Sequence, residues 1–303
     1  MGKPRFLYIL APSFSGSTLL TYLLAWHPRI ATIGELKATQ MGDIEQYRCS
    51  CGQPITECGF WKDVASSCRQ RNVPFALDDF DTVLHSPSPF ANRIIRADVR
   101  GPFLEALRRL AIGVSPAAHR DLAKQIERNY ELSRVVAETQ NGDIFLDGSK
   151  DATRLLHFVR SGRWDVRVIY LQRDGRGVIA SIAKHTGLPF GRAAEQWARN
   201  MRGLDNMRRR LPGSAVIDLK YEDLCRQPKQ CLERIFGWLG IETIAVETEN
   251  FKDSRFHILG NAMRLSGMSD IRADESWRSK LDDAQKDYYL RRFGRIHKQL
   301  GYA

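Results

Sequence analysis

Ser13-Phe14-Ser15-Gly16-Ser17-Thr18-Leu19-Leu20 follows the apolar run Phe6-Leu7-Tyr8-Ile9-Leu10 and opens a segment whose apolar residues recur at helical spacing. Strand, hydroxyl-rich turn and helix in direct succession form a cradle for an anion. Glycine lets the backbone approach closely, hydroxyls donate hydrogen bonds, and the free amides and positive dipole end of a helix favour negative charge. The plainer alternative is turn chemistry with an ordinary helix cap. A nucleotide-hydrolysing P-loop would place Gly-Lys-Ser/Thr here, with the lysine on the terminal phosphates and the hydroxyl on magnesium. Gly16 is followed by Ser17, and no lysine is present.

A second segment repeats the arrangement. Val166 to Leu171 reads as a buried strand, Gln172-Arg173-Asp174-Gly175-Arg176-Gly177 as a turn, and Val178-Ile179-Ala180-Ser181-Ile182 as the start of a helix. Arg173 falls at the strand's carboxyl end, and Ser181 about two helical turns further on. In open parallel sheets ligands bind outside the carboxyl ends of the strands, so the two motifs suit one ligand with two anionic ends. The plainer readings are an Arg173–Asp174 salt bridge and a small packing serine.

With these residues the chain resembles the sulfotransferase family, whose donor is 3'-phosphoadenosine 5'-phosphosulfate. In that family a basic-Ser-Gly-Ser/Thr-Ser/Thr loop binds the 5'-phosphosulfate, and an Arg followed eight residues later by Ser binds the 3'-phosphate. The resemblance implies that Ser13, Phe14, Ser15, Gly16, Ser17 and Thr18 surround the phosphosulfate and that Arg173 and Ser181 hold the 3'-phosphate. It runs from Phe6 to about Leu300 and is closest to the tyrosylprotein sulfotransferase branch and its bacterial relatives. His27-Pro28, Gly34-Glu35, Lys150-Asp151, Arg173-Asp174-Gly175-Arg176, Trp197, Asn200, Lys220-Tyr221-Glu222 and Leu300-Gly301-Tyr302 carry it.

One departure matters for chemistry. Phe14 stands where the family places a catalytic cation, and an aromatic ring supplies no formal charge to a departing phosphate. Lys150, at the end of the strand Ile144 to Asp147, is the expected substitute. Glu35 is the candidate general base, a role that requires a carboxylate within reach of the acceptor hydroxyl. Further expectations by resemblance are Tyr221 beside the nucleotide, Ser266 at the reaction centre, and Arg264 on the donor with Arg272, Trp277 and Arg278 nearby. His185 reads as a dipole complement at a helix end, and His27 as structural.

Composition is compatible with an enzyme for acidic substrates. Forty-six Lys and Arg against 35 Asp and Glu give a net charge of +11, which attracts a polyanionic nucleotide. No zinc-finger pair, aromatic-rich RNA-binding signature or basic tail points to nucleic acid; Arg208-Arg209-Arg210 reads as a solvated helix end. No run of eighteen apolar residues suggests a membrane span, and the expected setting is a bacterial-type cytoplasm. Cys49, Cys51, Cys58 and Cys68 lie within twenty residues of one another. A four-thiolate zinc site is conceivable, but Cys-x-Cys is not the usual knuckle spacing. The preferred reading is a small structural flap beside the acceptor site, with no metal.

The expected fold is an α/β, P-loop-like parallel sheet flanked by helices, with residues 1–303 forming one sulfotransferase domain and a mostly helical, cysteine-containing insertion at about 36–140. Strands are predicted at 6–10, 30–33, 144–147, 166–171 and 214–219. Within the insertion, helices are predicted only from about 102 to 111 and 117 to 139. The expected activity is metal-independent, in-line sulfuryl transfer to a hydroxyl-bearing acceptor: a small molecule, carbohydrate, lipid or peptide. Two rivals are a P-loop small-molecule kinase, which needs the missing lysine, and a non-catalytic nucleotide-binding or scaffold protein, which Phe14 makes credible.

Overall fold

Alternating side chains of the first strand feed two separate apolar layers. Phe6, Tyr8 and Leu10 face one, Leu7 and Ile9 the other, and all five are fully buried. A strand with both faces covered belongs in the middle of a parallel sheet. The computed structural model, which describes residues 2–37, 42–260, 262–265 and 270–302, places it there. Five strands form a single parallel sheet in the order β2-β3-β1-β4-β5. They are β1 (Arg5–Leu10), β2 (Ile30–Thr32), β3 (Ile144–Lys150), β4 (Asp165–Gln172) and β5 (Val216–Lys220).

The helices, in chain order, are α1 (Ser17–Ala25), α2 (Gly59–Gln70), α3 (Pro89–Arg96), α4 (Pro102–Val114), α5 (Pro116–Thr139), α6 (Ala152–Ser161), α7 (Gly175–Thr186), α8 (Phe190–Arg208), α9 (Tyr221–Arg226), α10 (Pro228–Leu239), α11 (Trp277–Lys280) and α12 (Asp283–Gln299). From β1 the chain moves outward on one side to β2, returns through β3, then crosses to β4 and β5 on the other side. The direction reverses at β1, so the loops after β1 and β4 open at the switch point, where open α/β sheets bind ligands.

Every predicted strand is present. Two helices in the region read as irregular are additions. α2 buries Trp61, Val64 and Cys68 at three- and four-residue spacing, a stripe hidden in the sequence among serines and charges. α3 begins with Pro89 at its first position, where the missing amide hydrogen costs nothing; the Pro-rich stretch is a helix start and not a breaker. Among the described residues, no helix is long and apolar enough to cross a membrane.

Candidate active site

The loop after β1 turns through two positive-φ residues, Phe14 (62°) and Gly16 (84°). Gly16 is the N-cap of α1, gives it no side-chain cap, and the first turn carries no acidic residue. Those amides and the dipole end are therefore presented to an outside anion. A Cβ on Gly16 would lie 2.3 Å from Cδ2 of Tyr221, so the glycine is required by close packing as well as by its φ. Ser15 is buried and donates to the Pro12 carbonyl at 2.7 Å, which holds the loop's shape. Ser17 is buried and Thr18 half-buried, while Ser13 is exposed and reaches the cleft described below.

Arg173, from the end of β4, crosses to this loop. Its Nη1 donates to the Phe14 carbonyl at 2.7 Å and its guanidinium lies 4.6 Å over the Tyr221 ring. Nη2 donates to the carbonyl of Asp274 at 2.7 Å and to its carboxylate at 3.1 Å. The sequence-distant motifs thus meet at one place, and the pairing of Arg173 is with Asp274. It is Arg176 that pairs with Asp174, at 2.7 Å. Burial acts to raise the Asp274 carboxyl, but hydrogen bonds from Ser276 and the Arg173 guanidinium outweigh it and hold the carboxyl below its ordinary value. Burial pushes the Tyr221 hydroxyl up to about 12, and it donates to the Arg272 carbonyl at 3.1 Å. Ser181 lies one turn beyond Gly177 on α7, with its hydroxyl donated to the Gly177 carbonyl at 2.9 Å.

Residues conspicuous in the sequence frame this corner. The Glu222 carboxylate accepts from the Asp174 amide at 3.0 Å and from the Tyr302 hydroxyl at 2.7 Å. Lys220 donates to the Gly301 carbonyl at 2.7 Å. Gly175 packs so tightly on Trp197 that a Cβ would lie 2.5 Å from the indole. The carboxyl end of the chain and the indole of α8 therefore brace the turn that carries Arg173.

A second group gathers on the other side of the β1 loop. Lys150 and Glu35 form an ion pair, with side chains 14% and 22% exposed. Local backbone explains how both are aimed. In the pairing of β1 with β3 the register slips between Tyr8 and Leu10, and Lys150 takes φ 66°; an extra residue at a strand end re-aims the side chain that follows. Gly34 has φ 84°, and a Cβ there would lie 2.5 Å from the Leu259 carbonyl. The fully buried Asp147 carboxylate accepts from the amides of Leu36 and Ser149, 3.1 and 2.9 Å away, thereby fixing the residues beside Glu35 and Lys150. It also pairs with buried Arg154 at 3.2 Å.

Ser13, Glu35, Lys150, Asp98, Arg199 and Asn200 line a cleft of about 450 Å³. A second ion pair in its lining joins Lys37 to Asp151 at 2.6 Å. Lys37, Asp98 and Arg199 were not singled out in the sequence: single charges on loops and a helix have no local pattern, and only the folding of α8 and of the loops after β2 and α3 around one cleft brings them together. Asp274 was missed for the same reason. Phe14 stays out of the cleft chemistry, its ring stacked on His185 with centroids 4.7 Å apart. Arg264 donates to the carbonyls of Gly260 at 2.6 Å and Arg48 at 3.3 Å, and Gly260 in turn packs against the Glu35 carboxyl. Ser266 lies outside the described residues.

The model described as "Sulfotransferase family" matches residues 97–245, which include Lys150, Arg173, Ser181 and Tyr221 but neither the β1 loop nor Glu35. The sulfotransferase domain from the curacin biosynthetic pathway is similar with a TM-score of 0.53 and 19% identity, covering 99% of this chain and 98% of that one. The sulfotransferase domain of the Synechococcus PCC 7002 olefin synthase gives 0.50 and 19%, covering 97% and 96%. At such identities the likeness speaks for the fold, which agrees with the family match. No curated protein matches the chain. Residues 97–245, from just after α3 to beyond α10, thus match the sulfotransferase family, and the five-stranded sheet around them has the fold of sulfotransferase domains.

Proposed function

We propose that the chain transfers a sulfuryl group from 3'-phosphoadenosine 5'-phosphosulfate to an acceptor hydroxyl bound in the cleft beside Glu35. The observation that carries the reading is the junction of Arg173 with the β1 loop through the Phe14 carbonyl and the Tyr221 ring. An uncapped helix start and a nearly buried guanidinium suit the two phosphate-bearing ends of one nucleotide. The fit has a further sign: the chain lays a carboxylate of its own, Asp274, on Arg173, as expected of a site made for an anion.

The donor supplies an activated sulfuryl group, which passes to the acceptor oxygen as its bond to the 5'-phosphate breaks. Positioning and charge stabilisation are the main contributions asked of the protein. Glu35 takes the acceptor proton. Lys150, in contact with Glu35, lies where it can offset charge on the phosphate as Ser13 and the α1 amides hold it. Arg173 binds the 3'-phosphate once Asp274 swings aside, with Ser181 one turn beyond Gly177. No metal takes part in these steps. The acceptor's size is bounded by the cleft, and its polar walls favour a hydroxyl on a polar body.

Titration calorimetry with 3'-phosphoadenosine 5'-phosphate, ATP and GTP, followed by sulfate transfer to a panel of phenols, sugars and peptides, tests the assignment. Tight binding of the bisphosphate alone, with turnover, supports it. Failure to bind the bisphosphate sinks it. Binding without transfer to any acceptor favours the scaffold reading, for which the position of Phe14 against His185 is the specific argument.

A further inference from the structure

Three of the four clustered cysteines meet a residue two hundred positions away. The Sγ atoms of Cys49, Cys51 and Cys58 and a ring nitrogen of His257 all lie within 4.8 Å of one another. His257 Nδ1 is 3.5 Å from Cys49 Sγ and 3.4 Å from Cys58 Sγ, and the Cys51 and Cys58 sulfurs are 3.7 Å apart. A tetrahedral zinc with Zn–S of about 2.3 Å and Zn–N of about 2.0–2.1 Å requires S···S separations of about 3.8 Å and S···N separations of about 3.6 Å. These three separations agree with this to within about 0.2 Å, and the remaining pairs lie within 4.8 Å, so a small inward movement closes the tetrahedron. We propose that Cys49, Cys51, Cys58 and His257 form a structural Cys3His zinc site.

The local fold is built for it. Arg48 bridges Pro54, and between them the chain turns with the Gly52 amide donating to the Cys49 carbonyl at 3.0 Å and the Cys49 amide to the Gln53 carbonyl at 2.9 Å. Gly52, with φ 91°, lets the turn close. Cys49 and Cys51 sit on this hairpin, while Cys58 is the N-cap of α2. His257 is stacked flat on Phe60, with rings 4.4 Å apart and 3° from parallel, which holds the orientation of its imidazole. Cys68, the fourth thiol in the sequence, is buried elsewhere on α2 and takes no part. The sequence offered four thiolates at an unusual spacing; the fold brings His257 from a distant segment where Cys68 would have completed that set.

The proposed site would act at a distance on the cleft. Ser50, between two of its ligands, donates to the Phe256 carbonyl at 2.6 Å and accepts from the Ile258 amide at 2.7 Å. Two residues beyond His257, the Leu259 amide donates to the Ile33 carbonyl at 2.7 Å, and a Cβ on Gly260 would lie 3.1 Å from the Glu35 carboxyl. A zinc there staples the hairpin to the strand-like segment against which Glu35 rests. The metal assignment does not depend on the proposed function.

Elemental analysis of the purified full-length chain, before and after reconstitution with zinc, tests this directly. About one zinc per chain is expected, with tetrahedral thiolate–cobalt absorption when cobalt replaces it. Cys51→Ser, at a half-buried position, should abolish tight binding. Cys68→Ser should keep the full equivalent and the cobalt spectrum. Chelation should lower the melting temperature of the wild type and of Cys68→Ser, but not of Cys51→Ser. Trace zinc only after reconstitution, a Cys51–Cys58 disulfide in the reduced-purified protein, or equal metal loss in Cys68→Ser and Cys51→Ser would overturn the proposal.

Discussion

Under the proposed function, Asp274 and a nucleotide 3'-phosphate compete for the Arg173 guanidinium, and removing the carboxylate should tighten binding. In the free protein the Arg173 side chain is 7% exposed and Asp274 51% exposed, at 3.1 Å. That places the pair between an exposed ion pair, about 0.2–1 kcal/mol, and a charged hydrogen bond, about 1.5–3 kcal/mol. A value of about 1.4 kcal/mol, one decade of affinity, is the working figure. Asp274→Ala leaves the backbone carbonyl that Arg173 also uses and the backbone amide that donates to the Tyr221 hydroxyl at 3.2 Å, so the segment keeps its anchor. Calorimetry with 3'-phosphoadenosine 5'-phosphate should then give a Kd about tenfold lower. Arg173→Ala forfeits two charge-assisted bonds to the phosphate, about 3–4 kcal/mol together, less about 1.4 kcal/mol for the exchange with Asp274, for a net loss of about 15- to 80-fold. In the Arg173→Ala background, Asp274→Ala should change Kd less than about threefold, because the competition no longer exists. An equal gain in both backgrounds, or weaker binding by Asp274→Ala alone, refutes the competition.

Glu35→Gln should leave nucleotide affinity within error while lowering kcat by about 10²- to 10⁴-fold, measured as initial rates of sulfate transfer; full activity would remove Glu35 from the base role. Gly16→Ala should cost nucleotide affinity and about 1–3 kcal/mol of stability, because the new Cβ meets Tyr221 and the backbone holds φ 84°; an unchanged denaturation midpoint would contradict the packing. His157 is buried and, through burial, its pKa is lowered to about 4. Between that value and about 6.5 the unfolded chain binds the proton that the folded chain refuses. Stability should therefore fall as pH drops through this window, by up to about 1.4 kcal/mol per pH unit. Urea melts from pH 7.5 to pH 5 on wild type and His157→Gln read this, and equal slopes for the two would refute it.

Legibility followed the range of the contacts. The strand–turn–helix around Ser13 to Thr18, the Arg173 turn and all five strands were readable because periodicity, turn chemistry and residue spacing are local properties. Glu35 and Lys150 were chosen by resemblance, and their ion pair is a matter of tertiary geometry. It arises from a register slip in β3 and a left-handed Gly34, neither of which has a sequence signature. α3 was lost because Pro89 looks the same at a helix start as in a loop.

What the chain's order of residues settles alone is a parallel α/β sheet with glycine-containing turns at the ends of β1 and β4, since those depend on neighbours a few positions apart. Which groups then meet was decided by folding: Asp274 on Arg173, Asp98 and Arg199 in one cleft with Glu35, and His257 among three thiols. Such pairs join segments tens to hundreds of residues apart, and nothing in either segment encodes its partner until the sheet order and the apolar layers bring them within reach.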